Sequence, residues 1–299
     1  PPMVPLPAPP PPTVVSIAPG AGEPINKHLW GMGDDWNKAK FPIDNVKLKD
    51  ALRVMHMGPT RWPGGAIANY WNMSDNQIAG DCAQAHCPSK PGDQCAIYNR
   101  IETAVSDGTY ARDFWSLPNF AEHIISLCVD ARLPIFVLNL KTADEALFIQ
   151  HLELLNRTIP IARQRASEAA GLDPALMEDE PVLIELGNEF YLANMYDCKY
   201  GNYSGEIYGN VTKRYIPHIR RLIKNAVIAI VGYQGSITIG PDNEHEDSGI
   251  LLWNEGLRWS GVLAMEGAPE AVTFHDYRLN NKRLLAYADH APDPYASAM

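Results

Sequence analysis

The chain alternates strand-sized apolar runs with helix-like segments, and this alternation restricts the folds open to it. Short apolar runs at residues 135–138, 182–186 and 271–275 predict buried strands. Next to these runs, apolar residues recur at the three- and four-residue spacing of helices, as in residues 117–132 and 208–225. Strands that alternate with helices form parallel sheets. The sequence therefore predicts an α/β fold, a TIM-type (β/α)8 barrel that is incomplete, with about six β/α units in this chain.

Three further strands complete the predicted order. Residues 25–33 and 52–57 predict the first two strands. Two segments compete for the fifth strand, residues 227–231 and residues 236–239. The second is favoured because it leads into Gly-Pro-Asp at residues 240–242, a polar turn of the kind expected after a strand.

Length and charge narrow the possible classes of protein. A chain of 299 residues suits one large α/β barrel or two smaller domains. Its formal charge of −10 argues against nucleic acid and against anionic membrane surfaces as partners. No apolar run approaches the roughly 20 residues that a membrane-spanning helix needs. The sequence shows no signal peptide and begins at Pro1, which predicts an N-terminus that is processed, trimmed or incomplete.

Residues 1–13 form a proline-rich segment, and eight of the first twelve residues are proline. Proline lacks a backbone N–H group, so this composition predicts an extended polyproline II arm, with a floppy linker as the alternative. Residues 14–299 are predicted to be the β/α barrel domain. An arm that is ordered needs a surface to lie against, which suggests contact with its own domain or self-assembly with a neighbouring chain.

Two kinds of residue point to an extracellular protein. Four N-x-Ser/Thr sequons favour a secreted glycoprotein, and they begin at Asn72, Asn156, Asn202 and Asn210. Four cysteines could form two disulfides by any of three pairings; they are Cys82, Cys87, Cys95 and Cys198. Cys128 lies in an apolar helical pattern and is predicted to be a buried free thiol. A zinc site at the first three cysteines is disfavoured by their irregular spacing, and neither a metal nor a cofactor is predicted.

Polar and aromatic side chains gather just after the predicted strands. They are Trp36, Arg61, Asn139, Asn188, Glu189, Asp242, His275 and Tyr277. In a β/α barrel these positions share the rim at the carboxyl ends of the strands, where the chemistry of such folds takes place. A carboxyl such as Glu189, next to an amide, can donate a proton to a leaving group there. A helix cap or a solvated loop carboxylate is the alternative interpretation.

Four segments, in the correct order, carry a family resemblance. Residues 61–71, 185–189 (Glu-Leu-Gly-Asn-Glu), 240–242 and 273–277 (Thr-Phe-His-Asp-Tyr) together resemble the heparanase-like β-glucuronidases. These are retaining glycoside hydrolases built on the (β/α)8 barrel. The α-L-arabinofuranosidases of the same clan are similar but more distant. The resemblance runs over roughly residues 25–279.

The resemblance implies a role for each matching residue. Glu189 would be the general acid/base, and Asn188 would contact the 2-hydroxyl of the substrate. Arg61 would lie near the nucleophilic carboxylate and help to hold it ionised. His275 and Tyr277 would line the rim, and four aromatic residues would offer sugar-stacking surfaces: Trp36, Trp62, Tyr70 and Tyr191. The aromatic residues could instead belong to the core, and His275 could be a structural histidine.

A retaining glycosidase also needs a second carboxyl, and the family places it at the end of strand seven. Residues 280–299 contain no strand followed by a glutamate. The nucleophile is therefore expected outside this chain, in a continuation of it or in a separately cleaved chain, unless the chemistry has been lost.

Two main functions follow. One is an extracellular glycoside hydrolase that acts on a polysaccharide or on the glycan of a glycoprotein. The other is an inactive glycosidase-fold glycoprotein that serves as a structural subunit of a filament, sheath or cell wall. A carbohydrate-binding module is a third possibility.

Overall fold

The computed structural model of the protein describes residues 46–47, 50, 61–79, 99, 102–103, 106, 116–127, 134–177, 180–191, 204–233 and 246–274. Several sequence predictions lie outside these ranges. They are the proline-rich arm at residues 1–13, the strands at residues 25–33 and 52–57, the five cysteines, and the residues Trp36, Asn202, Asp242, His275 and Tyr277.

The described part of the chain alternates strands with helices. In chain order the strands are β1 (Arg61–Trp62), β2 (Trp71–Asn72), β3 (Gln77–Ile78), β4 (Ile135–Leu138), β5 (Val182–Leu186), β6 (Ala226–Val231) and β7 (Ala271–Thr273). The α-helices are α1 (Leu117–Leu127), α2 (Glu145–Ala170), α3 (Gly205–Leu222) and α4 (Glu246–Trp259). Short 3₁₀ turns lie at Ala66–Asn69, Pro174–Met177 and Val262–Ala264. None of the described helices is both long enough and apolar enough to cross a lipid bilayer.

Five of these strands form one parallel sheet in the order β1-β4-β5-β6-β7. Strands β2 and β3 pair antiparallel as a separate hairpin. Helices connect consecutive strands of the sheet from β4 onward, as in the repeating unit of a β/α barrel. The predicted α/β fold is thus confirmed, and the described strands form part of such a barrel.

The two faces of the sheet differ in the side chains they carry. Phe136, Ile184 and Ile228 are paired in register, and all three belong to the large apolar core with exposures of 0–1%. The next row along the strands carries Val137, Glu185 and Ala229. Because successive side chains of a strand point to opposite faces, Glu185 faces away from that apolar row.

Local sequence signals set the starts of two helices. The Asp144 carboxylate accepts a hydrogen bond from the backbone N–H of Leu147 at 2.8 Å, which caps α2. The Ser204 hydroxyl oxygen accepts from the N–H of Ile207 at 3.1 Å and caps α3 in the same way. These caps fix where the chain turns back from the carboxyl edge of the sheet.

The preference for residues 236–239 as the fifth strand is wrong. The strand that lies between β5 and β7 is β6, Ala226–Val231, which was the competing segment. Its apolar run begins only four positions after α3 ends and buries five of its six residues. A short connection and a fully apolar run suit a central parallel strand better than the later segment does. Residues 236–239 lie outside the described ranges.

Candidate functional site

The turn after β5 presents Glu189 at the carboxyl edge of the sheet. Gly187 has a φ of 76°, and a Cβ atom there would overlap the ring of Phe190, so the position requires glycine. The Gly187 N–H donates to the carbonyl of Leu138 at 3.0 Å, which ties the turn to β4. Glu189 has a φ of 49°, a left-handed conformation that non-glycine residues rarely adopt. The result is a half-buried Glu189 carboxyl, while Phe190 is fully buried in the core.

Asn69 holds the backbone of Asn188. The Asn69 side-chain amide donates to the Asn188 carbonyl at 2.7 Å, and the Asn188 N–H donates to Asn69 Oδ1 at 2.9 Å. Both residues are buried, with exposures of 0% and 1%. This reciprocal pair fastens the loop after β1 to the loop after β5, so the two segments that carry Arg61 and Glu189 keep a fixed separation.

A buried ion pair lies beneath this turn. Arg61 Nε donates to Glu185 Oε2 at 2.7 Å, and Arg61 Nη2 donates to Glu185 Oε1 at 3.0 Å. The hydroxyl of Thr273, at the end of β7, donates to the same Oε1 atom at 3.0 Å. Glu185 has no exposed surface. Two-point pairing of this kind fixes the plane of the guanidinium.

The ion pair is connected to Glu189 through the side chain of Asn188. Arg61 Nη2 also donates to Asn188 Oδ1 at 3.1 Å. The amide Nδ2 atom of Asn188 is then directed at Glu189 Oε2, at 3.5 Å. The Tyr191 hydroxyl donates to the other carboxyl oxygen, Oε1, at 3.1 Å. We call Thr273, Glu185, Arg61, Asn188 and Glu189 the polar chain.

Aromatic residues position Tyr191. Its ring stacks on Tyr233 at a centroid distance of 4.5 Å and meets Trp253 edge-on at 6.1 Å. Tyr208 lies deeper and bridges two strands, because its hydroxyl donates to the carbonyl of Leu186 and accepts from the N–H of Val231. Burial raises the pKa of Tyr208 far above its ordinary value. Its phenol therefore stays neutral and keeps both hydrogen bonds.

The structure brings together four of the predicted site residues: Arg61, Asn188, Glu189 and Tyr191. The interpretation of Trp62 as a sugar-stacking surface is wrong. Trp62 has no exposed surface and stacks on Phe120 at 5.6 Å inside the core. Tyr70 is 1% exposed and is likewise a core residue, and burial raises its pKa. Trp62 lies in β1 and Tyr70 directly precedes β2, and both rings belong to the large apolar core, so their apolar area stabilises the fold.

Several residues of the site were not identified from the sequence. They are Glu185, Asn69, Thr273 and Tyr233. A signal existed for Glu185, because it is a charged residue within the apolar run of a central strand, and a buried charge must be paired. Arg61 was expected near a nucleophilic carboxylate, whereas the carboxylate that it binds in the described chain is that of Glu185.

The polar atoms at this edge are a carboxyl, an amide, a phenol and a guanidinium. This set suits proton transfer and hydrogen bonding to a polar ligand. Within the described residues, no three His, Cys, Asp or Glu side chains gather in a way that could hold a metal ion.

Three of the four sequons lie in the described part of the chain. Asn156 and Asn210 are exposed on α2 and α3. Asn72 is half-buried, and its Oδ1 atom accepts from the N–H of Ser74 at 2.9 Å. Glycosylation at these positions stays a prediction.

A concavity of about 690 Å³ lies at the opposite edge of the sheet between α2 and α3. Its basic residues have roles in the fold. The Arg163 guanidinium donates to the carbonyls of Glu180 (2.6 Å) and Pro181 (3.2 Å), just before β5. Arg221 lies in the last turn of α3, where the helix dipole favours a cation. The carboxyl edge is therefore the better candidate for chemistry.

Comparison with protein-family models finds no match, and comparison with curated proteins finds none either. Solved structures do resemble the chain. A family 51 α-L-arabinofuranosidase from Bifidobacterium longum matches with a TM-score of 0.50 and 14% identity, over 83% of this chain and 43% of that one. A second structure, described as an arabinofuranosidase, matches with a TM-score of 0.50 and 14% identity, over 90% of this chain and 52% of that one.

These similarities concern the fold. At 14% identity they show a shared α/β fold, that of the TIM-barrel domains of these arabinofuranosidases. The chain spans about half, or less, of the length of the structures it resembles.

Proposed function

We propose that this chain carries the acid/base half of the active site of a retaining glycoside hydrolase of the heparanase-like type. The substrate would be a β-linked uronic acid, or a related sugar, in a polysaccharide or in the glycan of a glycoprotein. The glycosidase fold supports the general class, and the ordered motifs support the narrower family. The observation that carries the proposal is the half-buried Glu189 carboxyl, held between Asn188 and Tyr191 at the carboxyl edge of β5.

In the first step, the protonated Glu189 carboxyl gives its proton to the glycosidic oxygen as the bond between that oxygen and the anomeric carbon breaks. The aglycone leaves as an alcohol. A second carboxylate forms a bond to the anomeric carbon from the opposite face. The Asn188 amide lies beside the reacting carboxyl and would donate a hydrogen bond to the sugar's 2-hydroxyl.

In the second step, Glu189 acts as a base. Its carboxylate takes a proton from a water molecule while the water oxygen bonds to the anomeric carbon and the second carboxylate leaves. The sugar is released with its original anomeric configuration, and Glu189 is protonated again. The hydroxyl of Tyr191, 3.1 Å from Glu189 Oε1, stabilises the ionised carboxylate between the two steps.

The decisive experiment is an assay of the full-length protein on 4-nitrophenyl β-D-glucuronide and 4-nitrophenyl α-L-arabinofuranoside. We expect hydrolysis of the glucuronide, and we expect Glu189→Gln to lower kcat by roughly 10²- to 10⁴-fold because the base that activates water in the second step is lost. Glu153→Gln changes an exposed glutamate on α2 and is the matched control, with unchanged kcat expected. Hydrolysis of the arabinofuranoside alone would reject the uronic acid substrate while retaining the class.

Equal turnover by the wild type and Glu189→Gln would contradict the assignment of Glu189. Absence of turnover on both substrates, together with a large assembly in solution, would favour the structural glycoprotein. We also propose that the protein is secreted and glycosylated. A loss of mass on enzymatic removal of N-glycans, absent when the sequon asparagines are changed to glutamine, tests this separately.

A further inference from the structure

A general acid must keep its proton until the substrate is bound, yet the side chain of Asn188 links this one to a guanidinium. Arg61 Nη2 is 3.1 Å from Asn188 Oδ1, and the amide of Asn188 is 3.5 Å from Glu189 Oε2. A cation at short range favours the ionised form of a carboxyl and typically moves its titration by about 1–3 pH units. Arg61 alone would therefore act against the acid role of Glu189.

Glu185 is placed to remove this conflict. Its carboxylate binds Arg61 at two points and is completely buried. A buried carboxylate in the middle of a strand is costly unless it is paired and hydrogen-bonded, and Glu185 is both, since Thr273 donates to it as well. Because Glu185 lies on β5 four positions before Glu189, it neutralises Arg61 without reaching the reacting oxygen.

We propose that Glu185 is a positioning residue and a counter-charge. It fixes the Arg61 guanidinium so that Arg61 orients the Asn188 amide toward Glu189, and it cancels the cation's charge so that Glu189 retains its proton. This inference rests on the proposed function of Glu189 as the general acid. It adds a role for a residue that makes no contact with Glu189 in the described hydrogen-bond network.

Three charged or titratable groups are linked to Glu189 by contacts among the described residues. Arg61 and Glu185 act through Asn188, and the Tyr191 phenol binds Glu189 directly. Comparison of the single variants with the double variant assigns a change in the ionisation of Glu189 to the ion pair.

The test is the pH dependence of the full-length protein carrying Glu185→Gln. Arg61 is then no longer neutralised, so Glu189 loses its proton at lower pH. We expect the alkaline limb of the kcat/KM profile on phenyl β-D-glucuronide, whose poorer leaving group depends on protonation by Glu189, to move down by about one pH unit. Glu270→Gln breaks another Arg–Glu pair, Arg220–Glu270, at the amino-terminal edge of the sheet, and should leave the limb in place. An unmoved or raised limb in Glu185→Gln would overturn the proposal.

Arg61→Gln provides a second test, because it removes the cation. The buried Glu185 carboxyl then either stays ionised, which moves the alkaline limb to higher pH, or takes up a proton, which leaves the limb in place. A move to lower pH would contradict the proposal. The double variant Arg61→Gln/Glu185→Gln removes both charges and should return the limb to within about 0.3 pH units of the wild type. If Glu185→Gln fails to fold, these two variants still decide the question. Shifts of the same sign in both single variants would indicate a purely structural role.

Titration of the Glu189 side chain by ¹³C NMR, assigned with Glu189→Gln, measures the same ionisation without turnover. If the wild type hydrolyses neither substrate, the proposed function fails, but the titration still tests the counter-charge. A titration of Glu189 that is identical in the wild type, Glu185→Gln and Arg61→Gln would reject it.

Discussion

At the scale of single residues, the candidate site depends on backbone conformations that few side chains tolerate. Gly187 takes a positive φ and lies against Phe190, and two positions later Glu189 adopts a left-handed conformation. Non-glycine residues held in such conformations cost of order 1–3 kcal/mol and persist where the surroundings fix them. The reciprocal Asn69–Asn188 hydrogen bonds supply that fixation.

Gly187→Ala should destabilise the fold by about 2–4 kcal/mol, because it adds a clash with the Phe190 ring to the cost of a positive φ. Urea unfolding followed by fluorescence measures this. Gly171→Ala is the matched control, since Gly171 has a φ of 67° but open space around its Cβ position. It should cost only about 1 kcal/mol. Equal losses in the two variants would show that the Phe190 contact is unimportant.

At the scale of elements, buried polar contacts fasten the β2–β3 hairpin to α2. His151, which is fully buried on α2, accepts a hydrogen bond from the N–H of Met73 through Nε2 at 3.1 Å. Burial lowers the pKa of His151 to about 4 from the ordinary value of 6.5. The folded protein therefore holds this histidine neutral.

The sign of the resulting pH dependence follows from that lowered pKa. As the pH is lowered from 6.5 to 4, His151 takes up a proton in the unfolded chain but stays neutral in the folded chain. The free energy of unfolding therefore decreases as the pH is lowered over this range. The loss should amount to about 3 kcal/mol. The measurement is the midpoint of urea unfolding at several pH values. In His151→Gln, the part of its decrease between pH 6.5 and 4 that is due to His151 should be absent. His218→Gln, on the partly exposed histidine of α3, should retain it. A full loss persisting in His151→Gln would contradict the assignment.

Helices α3 and α4 approach each other closely through two glycines. A Cβ atom on Gly256 would lie 2.6 Å from the backbone nitrogen of Glu206, and one on Gly205 would overlap the carbonyl of Trp253. Gly256→Ala should therefore force the helices apart and lower stability by about 1–3 kcal/mol, although alanine is the better helix former. Thermal unfolding checks this, with Arg258→Ala on the exposed face of α4 as the control. A stabilised Gly256→Ala variant would rule out the close approach.

At the scale of the whole molecule, the two edges of the sheet have different roles. The carboxyl edge carries the polar chain, and the opposite edge carries contacts that close the fold. There, Arg220 donates to the carbonyls of Ala226, Gly267 and Ala268 and pairs with Glu270 at 2.6 Å. This division matches β/α barrels, in which chemistry lies at the carboxyl edge and stability at the other.

Arg220→Ala should lower the free energy of unfolding by about 1–3 kcal/mol, because three carbonyls and a carboxylate lose their donor. The neighbouring Arg221→Ala removes an exposed arginine and should cost less than about 0.5 kcal/mol. Urea unfolding of both variants provides the comparison. At temperatures where Arg220→Ala stays folded, its kcat should equal that of the wild type. A kcat that falls with no change in stability would contradict the division between the edges.

The sequence by itself determined the parallel α/β architecture and the placement of Glu189 directly after a buried strand. Both follow from local patterns, since apolar periodicity and the residue after a strand can be read within one segment. Only the tertiary structure decided that Arg61 pairs with Glu185, 124 positions away, that Trp62 lies in the core, and that β6 takes the place expected for residues 236–239. These outcomes depend on which segments become neighbours in the sheet. The local pattern of a polar or aromatic residue at a strand is the same whether the residue lines a site or fills the core.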